Sequence, residues 1–135
     1  MAALTLSSSL DSTVRTVTSS PTLRSLGSAG FGIVALASDA RIALRSRVDP
    51  DAHRGTLCIE KSLDRNFRRA SIELQVGFAS ADLVVFYGMS ARDIARQLGR
   101  QLTAQDAALR FEVRAFATRD LGVDSAELVL GRRAA

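Results

Sequence analysis

The sequence predicts an α+β domain: an antiparallel or mixed β-sheet of five to six strands, with one main helix at about residues 90–108 packed on one face. Two periodicities predict this fold. Several short segments alternate apolar and polar residues, as half-buried strands do, and one longer segment repeats apolar residues at helical spacing. The chain has 135 residues, 47% of them hydrophobic, which suits one core-forming unit. We expect a single domain over residues 31–130 and a short tail at 131–135.

The first 30 residues form a segment of different composition, which we interpret as an N-terminal arm. Residues 1–30 contain 13 Ser or Thr and a single acidic residue. Such a start also resembles an organelle transit peptide, but it lacks the apolar region of a secretory signal. Two short runs, at residues 4–6 and 14–17, have high strand propensity. We therefore expect an extended edge element that copies of the chain exchange.

Seven segments carry strand patterns. They cover residues 31–37, 41–48, 56–61, 71–78, 82–87, 109–117 and, more briefly, 126–130. Pro50 between two aspartates marks the turn of a hairpin that joins the second and third segments. The fourth segment alternates strictly, with Phe78 on its apolar face. The fifth, residues 82–87, is apolar almost throughout, so we expect it to lie centrally in the sheet.

The helix has a clear start. Ser90 followed three residues later by Asp93 has the form of a capping box, in which the hydroxyl accepts an otherwise unpaired backbone amide hydrogen. Apolar residues from Ala91 to Leu102 recur at helical spacing and predict one stripe packed on the sheet. Gly99 costs about 1 kcal/mol in a helix interior, and we expect it to permit close approach of helix and sheet.

One helix is too narrow for the predicted sheet. Strands stand ~4.8 Å apart, whereas a helix is only ~10 Å wide. Apolar sheet surface is left over, and the sequence therefore predicts self-association through the sheet face or the N-terminal arm.

Residues that support catalysis or metal binding are scarce. Cys58 is the only cysteine and His53 the only histidine, so one chain cannot form a disulfide or a Cys/His zinc site. We interpret Cys58 as a partly buried structural thiol. His53 lies near Asp51 in a turn, but sequence proximity does not orient an acid–base pair. Asp82 interrupts an apolar run and is expected at a solvated position. We predict no catalytic residue, metal, cofactor or small-molecule substrate.

Arginine supplies almost all of the positive charge. The sequence has 17 Arg and one Lys, with a net charge of +4, a bias that high-GC codon usage explains. Six arginines are candidates for binding nucleic acid or an anionic membrane surface: Arg41, Arg45 and Arg47 on one strand face, and Arg65, Arg68 and Arg69 in the connection after the hairpin. Interspersed acids and the absence of an aromatic stacking platform argue against this role.

The segment from Asp82 to Ala95, a strand followed by Tyr-Gly-Met-Ser and an Ala-Arg-Asp-Ile-Ala helix start, resembles the alkaline shock protein family of bacterial envelope-stress proteins. The similarity covers about residues 70–123. It implies a small, non-catalytic, self-associating α+β scaffold of the cytoplasm, often at the membrane, and it transfers no catalytic residue. The matching positions are structural: Tyr87, Gly88, Ser90, Asp93, Ile94 and Ala95.

Three functions follow from the sequence, in order of preference. The first is a non-enzymatic, homo-oligomeric structural or scaffold protein of the cytoplasm, associated with the membrane if the resemblance extends that far. The second is a coat or packaging subunit of a virus or phage, located in the virion, which binds nucleic acid through the arginine face. The third is a small enzyme that uses His53.

Overall fold

The computed structural model describes residues 32–49, 51–64, 68–118 and 122–132; the predicted arm lies outside these residues. The described ranges contain seven strands and one helix. They are β1 (Ile33–Ala37), β2 (Ile42–Asp49), β3 (Arg54–Ser62), β4 (Arg69–Val76), β5 (Ala79–Phe86), α1 (Ala91–Gln105), β6 (Leu109–Thr118) and β7 (Val123–Arg132).

The strands form two antiparallel sheets, one of order β1-β4-β5 and one of order β2-β3-β7-β6. The α+β class with one helix is thus confirmed for the described residues, but the strands number seven and divide into two sheets instead of one. The division arises at the tight turn after β1. There the Ile42 amide donates to the Asp39 carbonyl at 3.1 Å, and the Asp39 carboxylate accepts from the Arg41 amide at 2.8 Å. The turn sends the chain from one sheet to the other instead of pairing β1 with β2.

The inner faces of the two sheets and the apolar stripe of α1 share one core. Side chains from all of these elements belong to a single buried cluster, including Ile72 and Leu74 of β4, Leu57 and Leu128 of the other sheet, and Leu98 of the helix. The inner sheet faces are therefore covered within one copy. The inner sheet faces therefore lack the uncovered apolar area that the sequence predicted, because each sheet covers the part of the other that the helix does not contact.

Helix α1 fills the gap between the two sheets, where it packs against β5 of one sheet and β6 and β7 of the other. Its N-terminus has the predicted cap, since the Asp93 amide donates to Ser90 Oγ at 3.0 Å. The Asp93 carboxylate pairs with Arg96 at 3.3 Å. The helix ends at Gln105, three residues earlier than predicted, because Asp106 has an extended conformation.

The free edge of β5 is closed by two glutamine side chains of the helix. Gln101 accepts from the Asp82 amide at 3.0 Å and donates to the Asp82 carbonyl at 2.9 Å. Gln105 forms the same pair of bonds with the backbone of Ser80. Four helix residues rise ~6 Å and two strand residues ~6.7 Å, so glutamines spaced by four match alternate residues of the strand. Each side-chain amide thus takes the place of a peptide group from a missing strand.

Two predicted placements are wrong. Segment 82–87 was expected at the centre of a sheet, but β5 lies at the edge of its sheet, where the helix supplies the cover that a neighbouring strand would have given. Phe78 was expected inside, but its side chain is 81% exposed. The strand β4 ends at Val76, and the turn at Gly77, which has φ 59°, carries Phe78 out of the alternation.

The last strand is longer than predicted. It begins at Val123 instead of Ala126 and continues to Arg132, so it includes two residues that we assigned to the tail. Arg132 is held at this end by an ion pair of 2.9 Å with Asp106.

We predict that Gly99→Ala destabilises the fold by about 1–3 kcal/mol, because overpacking outweighs the better helix propensity of alanine. A Cβ at position 99 would lie 2.5 Å from the Phe111 ring. Gly88→Ala is the matched control, since a Cβ there would meet nothing within 4 Å. Urea unfolding measures both variants, and equal stability of the two would contradict the close contact.

We predict that replacing Gln101 and Gln105 together by alanine lowers the free energy of unfolding by about 2 kcal/mol, because four hydrogen bonds are lost. The exposed edge of β5 should also pair between chains, seen as concentration-dependent aggregation with a thioflavin signal. The control is Gln97→Ala, which changes the same type of residue one turn earlier in the helix. The Gln97 side chain forms no hydrogen bond with the residues that the structure describes. If Gln97→Ala aggregated to the same extent, Gln101 and Gln105 would not be protecting the β5 edge.

Candidate functional site: a surface of arginine and aromatic side chains

Several chain connections meet at one end of the molecule, around the start of α1. The Tyr87 amide donates to the Arg68 carbonyl at 3.2 Å, which joins the end of β5 to the start of β4. The Ala91 amide donates to Asp124 Oδ2 at 2.7 Å, which joins the helix to the start of β7. Segments that are distant in sequence therefore lie together at this end.

Lys61 supports this end from within. Its side chain lies on the inner face of β3 and is only 3% exposed. The ammonium donates to the carbonyl of Tyr87 and, at 2.5 Å, to that of Met89. It also lies 5.3 Å from the centroid of the Tyr87 ring. The only lysine of the chain thus fixes the connection between β5 and α1.

Asp124 balances the buried charge of Lys61. The two residues are direct partners in the β3–β7 pairing. Burial lowers the pKa of Lys61, and the Asp124 carboxylate opposes part of that shift. A compact ammonium with three donors suits a narrow site with two carbonyl acceptors better than a planar guanidinium does. This requirement explains a lysine in a chain that otherwise uses arginine.

Aromatic and cationic side chains are exposed around this support. Phe86 is 54% exposed and Tyr87 41% exposed. Phe86 is the direct partner of Arg69 in the β4–β5 pairing, so the two side chains share the outer face of the three-stranded sheet. Arg68, Arg69 and Arg92 are exposed and make no ion pair among the described residues. We call Arg68, Arg69, Phe86, Tyr87 and Arg92 the arginine–aromatic surface.

The structure divides the predicted arginine set between two faces. Arg45 and Arg47 lie on the outer face of the four-stranded sheet, whereas Arg69 lies on the outer face of the three-stranded sheet. Because both sheets turn their inner faces to one core, these outer faces point away from each other. Arg41 lies in the turn before β2 and is paired with Asp39 at 3.2 Å and Asp64 at 3.3 Å. Arg65 lies outside the described residues.

The outer face of the four-stranded sheet carries charges of both signs. Arg45 is paired with Glu60 at 3.1 Å and Arg114 with Glu112 at 3.5 Å. The strand pairing places Arg114 beside Glu127 as well. Acids thus pair with some of the arginines on this face, which is typical of a solvated surface of mixed charge.

The remaining candidates lie apart from one another. His53 is exposed in the β2–β3 turn with φ 50°, and its side chain forms no hydrogen bond within the described residues. Cys58 is half-buried on the outer face of β3. Burial raises the pKa of this thiol, and a hydrogen bond from Arg45 offsets part of the shift, which makes the thiol a poor nucleophile at neutral pH. Asp82 is exposed, as predicted.

The sequence analysis did not predict the arginine–aromatic surface, although it named Arg68 and Arg69 as candidates. Phe86 and Tyr87 were assigned to a central strand and hence to the core. The available signal was the position of these residues next to Gly88, where the strand ends and apolar residues are less covered. Across the described ranges, no three His, Cys, Asp or Glu side chains are grouped to hold a metal ion.

Comparison with protein-family models, with curated proteins and with solved structures finds no match. The resemblance to the alkaline shock protein family thus depends on the sequence motif alone. Within the part of the chain that the structure describes, no helix is long and apolar enough to cross a membrane.

We predict that Lys61→Met lowers the free energy of unfolding by about 3 kcal/mol, because two carbonyl groups lose a charged donor and Asp124 loses its countercharge. Arg47→Met is the control. It removes a cation from the outer face and should change stability by less than about 0.5 kcal/mol. Urea denaturation gives both values. If Lys61→Arg kept full stability, the argument for a compact ammonium would be wrong.

Proposed function

We propose that this chain is a non-enzymatic, self-associating structural or scaffold protein, and that copies associate through the edge of β1 and the N-terminal arm. The observation that carries this proposal is the unpaired edge of β1. In the β1–β4 pairing, the backbone amides and carbonyls of even-numbered β1 residues point toward β4. The hydrogen bonds of the Gly32 carbonyl and the Ser38 amide on that side set this alternation. The amide and carbonyl groups of Ile33, Ala35 and Ala37 therefore point away from β4.

These backbone groups have no hydrogen-bond partner among the described residues. The Ala35 side chain belongs to the core, so this edge is fixed in place with its amide and carbonyl directed outward. Such a strand edge is a template for a strand of another chain, and pairing would satisfy its backbone groups. The opposite edge of the same sheet needs no such partner, because Gln101 and Gln105 close it.

The N-terminal arm is the segment best suited to supply that strand. It runs directly into β1, and its runs at residues 4–6 and 14–17 have the composition of strands. An arm given to a second copy would link the copies through backbone hydrogen bonds, as in domain exchange. A scaffold role in the cytoplasm is also what the resemblance to the alkaline shock protein family implies.

We predict that the purified chain forms oligomers, observed by native mass spectrometry as multiples of 14.4 kDa. Ala37→Pro should raise the dissociation constant of the oligomer at least about tenfold, because proline removes an edge amide hydrogen and blocks strand pairing. Ala37 is half-buried and its amide makes no described bond, so the monomer should remain folded by circular dichroism.

Ser46→Pro is the matched control for this experiment. It lies in β2, at the free edge of the other sheet, and its amide likewise points away from the paired strand. It should leave the oligomer intact. A wild-type chain that stays monomeric at all concentrations, or equal weakening by the two prolines, would contradict the proposal.

A further inference from the structure

We propose that the arginine–aromatic surface binds single-stranded nucleic acid, with bases stacked on Phe86 and Tyr87 and phosphates held by Arg68, Arg69 and Arg92. This inference goes beyond the proposed function and does not depend on self-association. It also differs in place from the arginine face predicted from the sequence, since it lies at the start of α1 and leaves out Arg41, Arg45 and Arg47.

The first step of the argument is the state of the arginines. Arg68, Arg69 and Arg92 are exposed and make no ion pair among the described residues. Two of the acids near them in sequence already have partners, since Asp64 pairs with Arg41 and Asp93 with Arg96. Glu73 lies on the same face as Arg69, four residues along β4, but forms no ion pair with it. Three guanidinium groups thus remain for an external anion, and a polyanion complements them in charge.

The second step is the exposure of two aromatic residues that follow one another in sequence: Phe86 lies beside Arg69 on the outer face of its sheet, and the Tyr87 ring lies against the Lys61 ammonium. Phe86 and Tyr87 are exposed aromatic residues, as is Phe78, which lies at the opposite end of the β4–β5 hairpin. An arginine cluster alone would attract any anion. Aromatic rings next to it add stacking surface, the combination that proteins use to bind unpaired bases with little sequence preference.

The third step concerns which polyanion fits. In a duplex the base faces are covered by their neighbours, so stacking on protein rings requires a single strand. A lipid surface would also match exposed apolar and cationic groups. The apolar stripe of α1 is buried in the core, so the one helix of the described residues offers no apolar face to a bilayer. Single-stranded DNA and RNA share the chemistry that this surface would recognise.

The fourth step is rigidity. The Lys61 ammonium and the Asp124 carboxylate fix both sides of the turn that carries Tyr87 and leads into Arg92. Arg69 and Phe86 are held side by side by strand pairing. A preorganised surface loses little conformational freedom on binding, which favours measurable affinity from a small contact area.

The experiment uses the full chain and two labelled probes, a 20-nucleotide oligo-dT and a 20-nucleotide oligo-U, in fluorescence anisotropy across a salt series. Three phosphate contacts predict a slope of about −2 in a plot of log affinity against log salt. Arg68→Gln with Arg69→Gln should reduce the slope to about −0.7. Phe86→Leu should weaken binding about tenfold without changing the slope, because stacking is lost but charge is kept.

Two controls test the location. Arg47→Gln with Arg54→Gln removes the same charge from the outer face of the other sheet, and Phe78→Leu removes an exposed ring at the far end. Both should bind as the wild type does. Equal loss from either control, no effect of Phe86→Leu, or no binding of either probe would overturn the proposal.

A membrane partner is distinguished in the same series. Binding to vesicles of phosphatidylglycerol and phosphatidylcholine that Arg68→Gln with Arg69→Gln weakens, with no oligonucleotide binding, would assign the surface to lipid and refute the nucleic-acid proposal. A preference for oligo-U over oligo-dT, or the reverse, would identify RNA or DNA as the strand that the surface takes.

Discussion

The structure depends on one helix taking the place of a strand. Two sheets curve around a shared core, and the side between β5 and β6 lacks a strand to close it. Helix α1 fills that side with its apolar stripe and satisfies the β5 backbone with Gln101 and Gln105. Without those amides the edge would be open to water and to other chains. Closure of the core and protection of the edge are therefore achieved by neighbouring faces of the same few helical turns.

The same helix connects the core to the candidate site. Its first turn is held by Ser90 and Asp124, and the connection before it is held by Lys61. These polar contacts lie under the exposed Phe86 and Tyr87. Changes in the support would thus alter the surface, although none of the supporting side chains belongs to it. The four-stranded sheet contributes to the site only through this support, since its own outer face points away from the site.

Local patterns in the sequence predicted most elements but not their assembly. The strict alternation of β4, the Ser90 cap and the role of Gly99 each follow from a few neighbouring residues, and each is present. The division into two sheets was missed because it depends on the four-residue turn after β1, where hydrogen bonds of Asp39 decide the direction of the chain. The burial of Lys61 was missed because its acceptors lie 26 and 28 residues away. The exposure of Phe86 was missed because its apolar run predicted a central strand. In the structure β5 is an edge strand with the helix beside it, and Phe86 stays exposed.

The burial of Lys61 has a practical consequence. It is the only side-chain amine in the sequence, so acylating reagents and amine-directed cross-linkers find no accessible lysine on the folded surface. Acylation of this one residue instead reports opening of the end where α1 begins. Covalent mapping of assemblies of this chain therefore needs chemistry other than that of lysine, for example at carboxylates. The rate of lysine modification measures local unfolding beneath Tyr87.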